Sequence, residues 1–361
     1  MNKKVVIFTG GTGGHVNPGE NFGKYLIKNK FNCTMICDYR GLKFIKDFDG
    51  KIIQISASHL SGNFFHNFIG IIKLFFGFFY SVFLIIKLKP DIAISFGSYA
   101  SVCPSLAVCL MKFVRNIEYY IHEQNSIIGR SNSFFAKFAN KIFVNYDINY
   151  KIEKHILSKI YVVGLPQNID KYNINTLEKK HSVKFTIFIY GGSQGSFFIM
   201  NFLEKILKIL DVDTLKDFYF VVQCPDEYKN KITKLLKNLP SKYLLKNYFY
   251  NIDEILSHSN LLVSRAGAGS IDDIIKYQIP SIIIPLSSSK DNHQEKNASI
   301  LSKLNCILIV NEKKTEISNI KIFIKKILKN YKNKKKYKKE FEKIIYKDAN
   351  EIMFKMIKNE K

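Results

Sequence analysis

Residues 5–19 read Val5-Val6-Ile7-Phe8-Thr9-Gly10-Gly11-Thr12-Gly13-Gly14-His15-Val16-Asn17-Pro18-Gly19. A short apolar run, Val5 to Phe8, breaks into four glycines and a histidine, and a helical pattern follows. That order spells a strand, a tight loop and a helix N-terminus. Glycine reaches positive φ and lets backbone N–H groups approach a ligand closely. The N-terminus of the following helix favours negative charge. The loop is denser in glycine than the G-x-G-x-x-G of dinucleotide-binding folds. His15 places a titratable imidazole where an anionic or sugar ligand would sit; a helix residue with only a capping role is the plainer alternative.

The same unit recurs. Phe185–Ile189 runs into Tyr190-Gly191-Gly192-Ser193-Gln194-Gly195, followed by helical spacing at Phe198, Phe202, Ile206 and Ile209. Apolar strand candidates alternate with helical stretches along the chain. They are Val5–Phe8, Thr34–Cys37, Ile92–Ser95, Tyr119–Ile121, Ile142–Val144 and Ile160–Val163, then Phe185–Tyr190, Phe218–Val222, Leu261–Ser264, Ser281–Ile284 and Cys306–Val310. Continuous rather than alternating apolar runs indicate parallel strands covered on both faces. Two such sets predict an α/β protein of two Rossmann-like, doubly wound domains facing each other across a cleft. The polar stretch from Gly164 to Ser182 marks the boundary, giving domains at 1–163 and 164–339. The lysine-rich end keeps helical spacing at Phe341, Ile344, Ile345, Ile352, Phe354 and Ile357, so 340–361 is expected to return to the first domain as an amphipathic helix.

The net charge is +25 and 47% of residues are hydrophobic, which sets a packed globular chain in a basic field. Only Arg40, Arg115, Arg130 and Arg265 supply guanidinium groups among 55 basic residues. Nucleic-acid readers favour arginine forks, so a specific nucleic-acid partner is not expected. Six cysteines without a C-x-x-C pair read as buried thiols rather than a zinc or disulfide framework. Lys3 and Lys4 precede only four apolar residues, which is no signal-peptide pattern.

Phe68–Ile86 carries Lys73 as its single charge and approaches the length of a membrane span. Gly70, Gly77 and Ser81 interrupt it, and Pro90 and a strand follow at once. Spanning a bilayer here would divide the first domain's sheet between two compartments. The expectation is a helix that packs on the sheet and turns its excess phenylalanine toward a membrane interface, with Lys73, Lys87 and Lys89 facing anionic headgroups.

Three further polar clusters follow strand candidates, where α/β folds bind ligands. They are His122-Glu123-Gln124-Asn125, Arg265-Ala266-Gly267-Ala268-Gly269-Ser270, and Asp291-Asn292-His293-Gln294. Asp272 and Asp273 are expected in the first turn of a helix, either balancing its dipole or accepting ribose hydroxyls. No Walker lysine, G-x-S-x-G or metal-ligand constellation stands out.

These residues carry a family resemblance. Gly10–Gly19, Gly97-Ser98-Tyr99, His122–Asn125, Gly191–Gly195, Arg265-x-Gly267-Ala268 and His293-Gln294-x-x-Asn297-Ala298 resemble, in order and over nearly the whole length, the bacterial peptidoglycan N-acetylglucosaminyltransferases. The resemblance implies a GT-B fold and inverting transfer of N-acetylglucosamine from UDP-N-acetylglucosamine to the 4-hydroxyl of undecaprenyl-pyrophosphoryl-N-acetylmuramoyl pentapeptide (lipid I), giving lipid II. It implies no cofactor and no catalytic metal, and a peripheral enzyme on an anionic membrane surface, the cytoplasmic face of the inner membrane. Carried over by position, Thr12, Gly13, Gly14, Asn125, Ser193, Phe249, Ala268, Gly269, Ser270, Ile271, Asp272, Asp273 and Gln294 would contact the donor. Gly11, Gly97, Ser98 and Tyr99 would hold the acceptor's diphosphate. His15 is the candidate base and Glu123 the reserve.

Two positions depart from the family. Its Gly-Asn-Pro-x-Arg stands here as Gly164-Leu165-Pro166-Gln167-Asn168, without the donor-contacting arginine, and its ribose-binding glutamate is the shorter Asp273. Three other functions fit the residues: another glycolipid transferase of this fold, a UDP-sugar epimerase, and a basic membrane- or RNA-binding protein without catalysis.

Overall fold

The structure, a computed structural model, describes residues 3–57, 64–147, 152–167, 185–192, 196–249, 252–314, 316–331, 334–342, 344 and 348–358. Contacts gather the chain into two units, residues 1–169 with 347–361, and residues 170–346.

The first unit is built on seven parallel strands: β1 (Lys4–Thr9), β2 (Asn32–Asp38), β3 (Lys51–Ile55), β4 (Ile92–Ser95), β5 (Glu118–Glu123), β6 (Lys141–Val144) and β7 (Ile160–Val162). Their order across the sheet is β3-β2-β1-β4-β5-β6-β7. Val5, Ile7, Ile92 and Ile94 point to one face and Val6, Phe8, Ala93 and Ile121 to the other, and both faces are buried. That two-sided burial is why these strands read as continuous apolar runs. One face carries the helix Phe64–Leu88 through Leu84 and Ile85, and the helix Val102–Met111 through Ala107 and Val108. The other face carries the helix Gly13–Lys28 through Phe22 and Leu26, and the closing helix Ala349–Lys358 through Met353 and Ile357. Phe354 meets Tyr25 and Phe31 edge-on, with ring centroids 5.5 Å apart in both pairs. The lysine-rich end is therefore divided. The helix Lys334–Phe341 lies within the second unit's residues, while Ala349–Lys358 is part of the first unit's core.

The second unit has six parallel strands: β8 (Phe185–Tyr190), β9 (Phe218–Gln223), β10 (Lys242–Lys246), β11 (Leu261–Ser264), β12 (Ser281–Ile283) and β13 (Ile307–Ile309). They lie in the order β10-β9-β8-β11-β12-β13. Both sheets thus reverse direction of winding once, between β1 and β4 and between β8 and β11. Open α/β sheets bind ligands at the carboxyl ends of the strands flanking such a reversal.

Two strands, β3 and β10, escape the apolar-run reading. Both are edge strands, and β3 (Lys-Ile-Ile-Gln-Ile) and β10 (Lys-Tyr-Leu-Leu-Lys) keep lysines and half-exposed positions where a covered strand would be solidly apolar. Lysine on an exposed edge discourages pairing with other chains.

The helix Phe64–Leu88 contains one stretch, Gly70–Leu88, long and apolar enough to cross a membrane, with 22% of that window buried. Gly70, Gly77, Ser81, Leu84 and Ile85 face inward. Cys103 donates from Sγ to the carbonyl of Leu74, tying this helix to Val102–Met111. Ile71, Phe75, Phe76, Phe79 and Phe83 stand outward. All six cysteines are buried free thiols.

Candidate active site

In the first unit the β1 loop bends at Gly11, where φ is +76°, and the β4 loop bends at Gly97, where φ is +79°. The two loops touch: a Cβ placed on Gly11 would stand 3.7 Å from that of Ser98. Gly11 donates its N–H to Asp38 Oδ1 at 2.7 Å, and the same oxygen accepts from Gly41 N at 3.0 Å. Asp38 therefore holds the glycine loop against the end of β2. Thr12 caps the helix Gly13–Lys28 with extended backbone and no side-chain bond, its carbonyl accepting from His15 and Val16 N–H. The N–H groups of Gly13 and Gly14 belong to the first turn and have no intrahelical acceptor. In the β4 loop Ser98 takes φ +77°, its Oγ accepting from Ala100 N at 3.2 Å, and Tyr99 beside it is exposed. Gly11, Gly97, Ser98 and Tyr99 are thus brought together at adjoining strand ends.

The imidazole of His15 turns toward the end of β5. Its Nδ1 stands 2.8 Å from Gln124 Oε1 and 3.0 Å from the Phe96 carbonyl. His122 is fully buried, stacked on Phe96 with centroids 5.1 Å apart, and its Nε2 faces the Gly164 carbonyl at 3.0 Å. Burial pushes its pKa down to about 4, so the ring is neutral near pH 7.

Glu123 is buried with both carboxylate oxygens engaged. Oε1 accepts from Asn125 N and Nδ2 at 3.1 and 3.2 Å, and Oε2 from Gly129 N at 2.8 Å and Asn132 Nδ2 at 2.9 Å. Four donors on one carboxylate describe a loop anchor. This is a different use of Glu123 from that of a reserve base, which needs an oxygen open to substrate.

In the second unit Gly191 is buried and Gly192 has φ +80°, while Ser193 lies outside the described residues, as does Asn168. Ser196 caps the helix Phe197–Ile209, accepting from Ile199 N at 3.4 Å. Arg265, at the end of β11, reaches across these loops. It donates to Ser196 Oγ at 2.7 Å, to the Ile284 carbonyl at 3.2 Å after β12, and to Glu312 Oε1 at 2.6 Å beyond β13. Glu312 Oε2 accepts from Ser287 N at 2.9 Å. Burial pushes Glu312 upward, but its bonds from Ser287 and Arg265 and the Arg265 charge outweigh this and hold its pKa below the ordinary value.

The helix after β11 is Ala268–Tyr277, capped by Gly267. Asp272 and Asp273 consequently lie in its second turn, not its first, because the helix begins at Ala268. No acid occupies the first turn, so the N–H groups of Ala268, Gly269 and Ser270 keep the positive end of the dipole. Ile271 is fully buried in the core and can offer a ligand only its backbone. Asp272 is buried too, its pKa raised well above the ordinary value by burial and then by the Asp273 charge. Tyr190 Oη donates to Asp273 Oδ2 at 3.5 Å. Phe249 is buried edge-on against Phe188, centroids 5.8 Å apart. Gln294 accepts from Leu286 N at 3.0 Å, and buried Asn297 donates to the Ala266 carbonyl at 3.1 Å. Ala268, Gly269, Ser270, Asp273 and Gln294 therefore share the carboxyl-end edge of this sheet. Among the described residues no three His, Cys, Asp or Glu side chains converge as a metal cage.

Asp38, Ser196 and Glu312 were not among the residues singled out, and Gln124 was named only as part of the His122–Asn125 cluster, without a role of its own. Asp38 had a signal, a lone carboxylate closing the apolar run of β2. Glu312 had none, since its partner Arg265 lies 47 positions away.

Residues 5–144 match the glycosyltransferase family 28 N-terminal domain, and residues 186–352 the glycosyltransferase family 28 C-terminal domain. A Rickettsia bellii (strain RML369-C) protein is 32% identical over 311 residues, spanning 84% of this chain and 85% of its own. The chain belongs to glycosyltransferase family 28. That relative is named UDP-N-acetylglucosamine–N-acetylmuramyl-(pentapeptide) pyrophosphoryl-undecaprenol N-acetylglucosamine transferase. A protein of the same name from Rickettsia rickettsii (strain Sheila Smith) is 30% identical over 324 residues, 83% of this chain and 84% of that one. Among solved structures, Acinetobacter baumannii MurG matches with TM-score 0.74 and 20% identity over 99% of both chains. A UDP-GlcNAc 2-epimerase from Neisseria meningitidis matches with TM-score 0.66 and 14% identity, over 99% of this chain and 100% of that one. The family 28 chain accordingly has the GT-B fold, which transferases and epimerases share; fold alone does not separate them.

Proposed function

We propose that this family 28 enzyme transfers N-acetylglucosamine from UDP-N-acetylglucosamine to the 4-hydroxyl of lipid I, forming lipid II with inversion at the anomeric carbon. The observation that carries the reading is the match, over more than four-fifths of both partners, to relatives named for that reaction. The geometry fits its chemistry. In the second unit the acid-free N-terminus of Ala268–Tyr277 suits a nucleotide diphosphate leaving group, whose negative charge grows as the glycosidic bond breaks. In this reading Asp273 accepts from a ribose hydroxyl and Gln294 contacts the sugar. In the first unit the loops at Gly11 and Gly97–Tyr99, beside the first-turn N–H groups of Gly13 and Gly14, suit the acceptor's diphosphate. His15 takes the proton of the attacking hydroxyl, and Glu123 holds the loop that carries Asn125.

We further propose that the chain works on the cytoplasmic face of the inner membrane, bound to its surface. Phe75, Phe76, Phe79 and Phe83 form an exposed apolar face, with Lys73 and Lys87 on the same helix, the composition of an interfacial helix.

Acceptor dependence is the test. UDP is expected to be released from UDP-N-acetylglucosamine only when a short-chain lipid I analogue is present, at a rate unchanged by chelator. Conversion of the nucleotide sugar without acceptor would establish an epimerase instead, and the absence of saturable UDP binding would establish a non-catalytic protein.

A further inference from the structure

We propose that Gln124 and His122 are positioning residues that fix His15 as its Nδ1–H tautomer and leave the Nε2 lone pair as the proton acceptor. The inference rests on the reading of His15 as the base, and sharpens it to one nitrogen.

The Gln124 amide can face either way in principle. Its Nε2 lies 3.0 Å from the Phe96 carbonyl and 3.1 Å from the His122 carbonyl. Backbone carbonyls only accept, so two of them at one end of the amide require the NH2 there. The other end, toward His15, is then the oxygen. His15 Nδ1 consequently meets two acceptors, Gln124 Oε1 at 2.8 Å and the Phe96 carbonyl at 3.0 Å. A bare nitrogen in that position would set a lone pair against two others, so Nδ1 carries the hydrogen and Nε2 is bare in the neutral ring.

His122 completes the chain of constraints with the opposite tautomer. Its Nε2 faces the Gly164 carbonyl at 3.0 Å and so bears hydrogen. Its Nδ1 is then bare, and at 3.3 Å from Gln124 Nε2 it is a third acceptor at the end of the amide whose two hydrogens go to the nearer carbonyls, an environment that suits NH2 and not oxygen. A charged His122 would present a hydrogen at Nδ1 to the amide NH2 and break the arrangement; its complete burial keeps the ring neutral. The network spends no group of its own on substrate, and this separates positioning from catalysis.

Nitrogen NMR of protein labelled with 15N-histidine reads tautomers directly, without activity. At a pH where both imidazoles are neutral, His15 is expected to show a protonated Nδ1 and a bare Nε2. His122 is expected to show the reverse, with both signals assigned by their loss in His15→Gln and His122→Gln. In Gln124→Met the His15 tautomer ratio is expected to move about tenfold toward Nε2–H, as loss of one hydrogen bond implies, with kcat falling and donor KM unchanged. A wild-type His15 with hydrogen on Nε2 would overturn the proposal, as would Gln124→Met with tautomer and kcat both unaltered. Should the wild-type tautomer be Nδ1–H while His15→Ala retains turnover, the network stands and the base reading falls.

Discussion

Glu123→Gln separates an anchor from a base. The substitution preserves shape but exchanges one carboxylate oxygen for an NH2 group. Each oxygen now accepts from two donors, so whichever end the NH2 occupies, two hydrogen bonds are replaced by donor-to-donor contacts. The pair from Asn125, at 3.1 and 3.2 Å, is longer than the pair from Gly129 and Asn132, at 2.8 and 2.9 Å, and is the end expected to be given up. Hydrogen bonds to a charged group contribute about 1.5–3 kcal/mol each. Losing two at a site only 1% exposed to water costs at least about 3 kcal/mol. That corresponds to about a hundredfold loss of hydrogen-exchange protection at the Asn125 amide, read by exchange on the intact protein. Turnover falls with it, because Asn125 loses its fixed position. Unchanged protection and unchanged stability beside a collapse of kcat at wild-type KM would refute the reasoning and make Glu123 the proton carrier.

Arg265→Met leaves Glu312 without its partner in a pair whose side chains keep only 10% and 12% of their surface, and is expected to cost about 3 kcal/mol by urea denaturation. Adding Glu312→Gln should restore part of that loss. His122, with a folded pKa near 4 against about 6.5 unfolded, stabilises the fold fully above about pH 6.5; about 3 kcal/mol is lost as pH falls toward 4, and His122→Gln should flatten that slope in urea midpoints. Phe76 and Phe79 are 64% and 55% exposed. Inserting two such rings is worth about 2–3 kcal/mol, so Phe76→Ser with Phe79→Ser should weaken sedimentation with anionic vesicles by roughly thirtyfold or more, at unchanged UDP affinity.

The apolar runs carried most of the fold, because strands buried on both faces leave no polar alternation to misread. They failed at β3 and β10, where an edge position replaces apolar residues with lysine. The glycine loops were legible for the opposite reason: positive φ at Gly11, Gly97 and Gly192 restricts what can stand there. The role of Glu123 was not legible, since four donors brought to one carboxylate by a folded loop leave no trace in spacing. Asp272 and Asp273 were displaced by a single turn, because a helix capped by glycine carries no side-chain signal of where it begins. Gln124 sat in plain view inside His122–Asn125; its meaning depended on two carbonyls, Phe96 and His122, that no sequence pattern sets around it.

The central claim is the identity of acceptor and linkage. Purified protein, labelled UDP-N-acetylglucosamine and a short-chain lipid I analogue are expected to give one labelled product, with the new sugar β-linked to the 4-hydroxyl by proton NMR. A product with retained α configuration, transfer to another hydroxyl, or label left entirely in the nucleotide sugar would contradict the account.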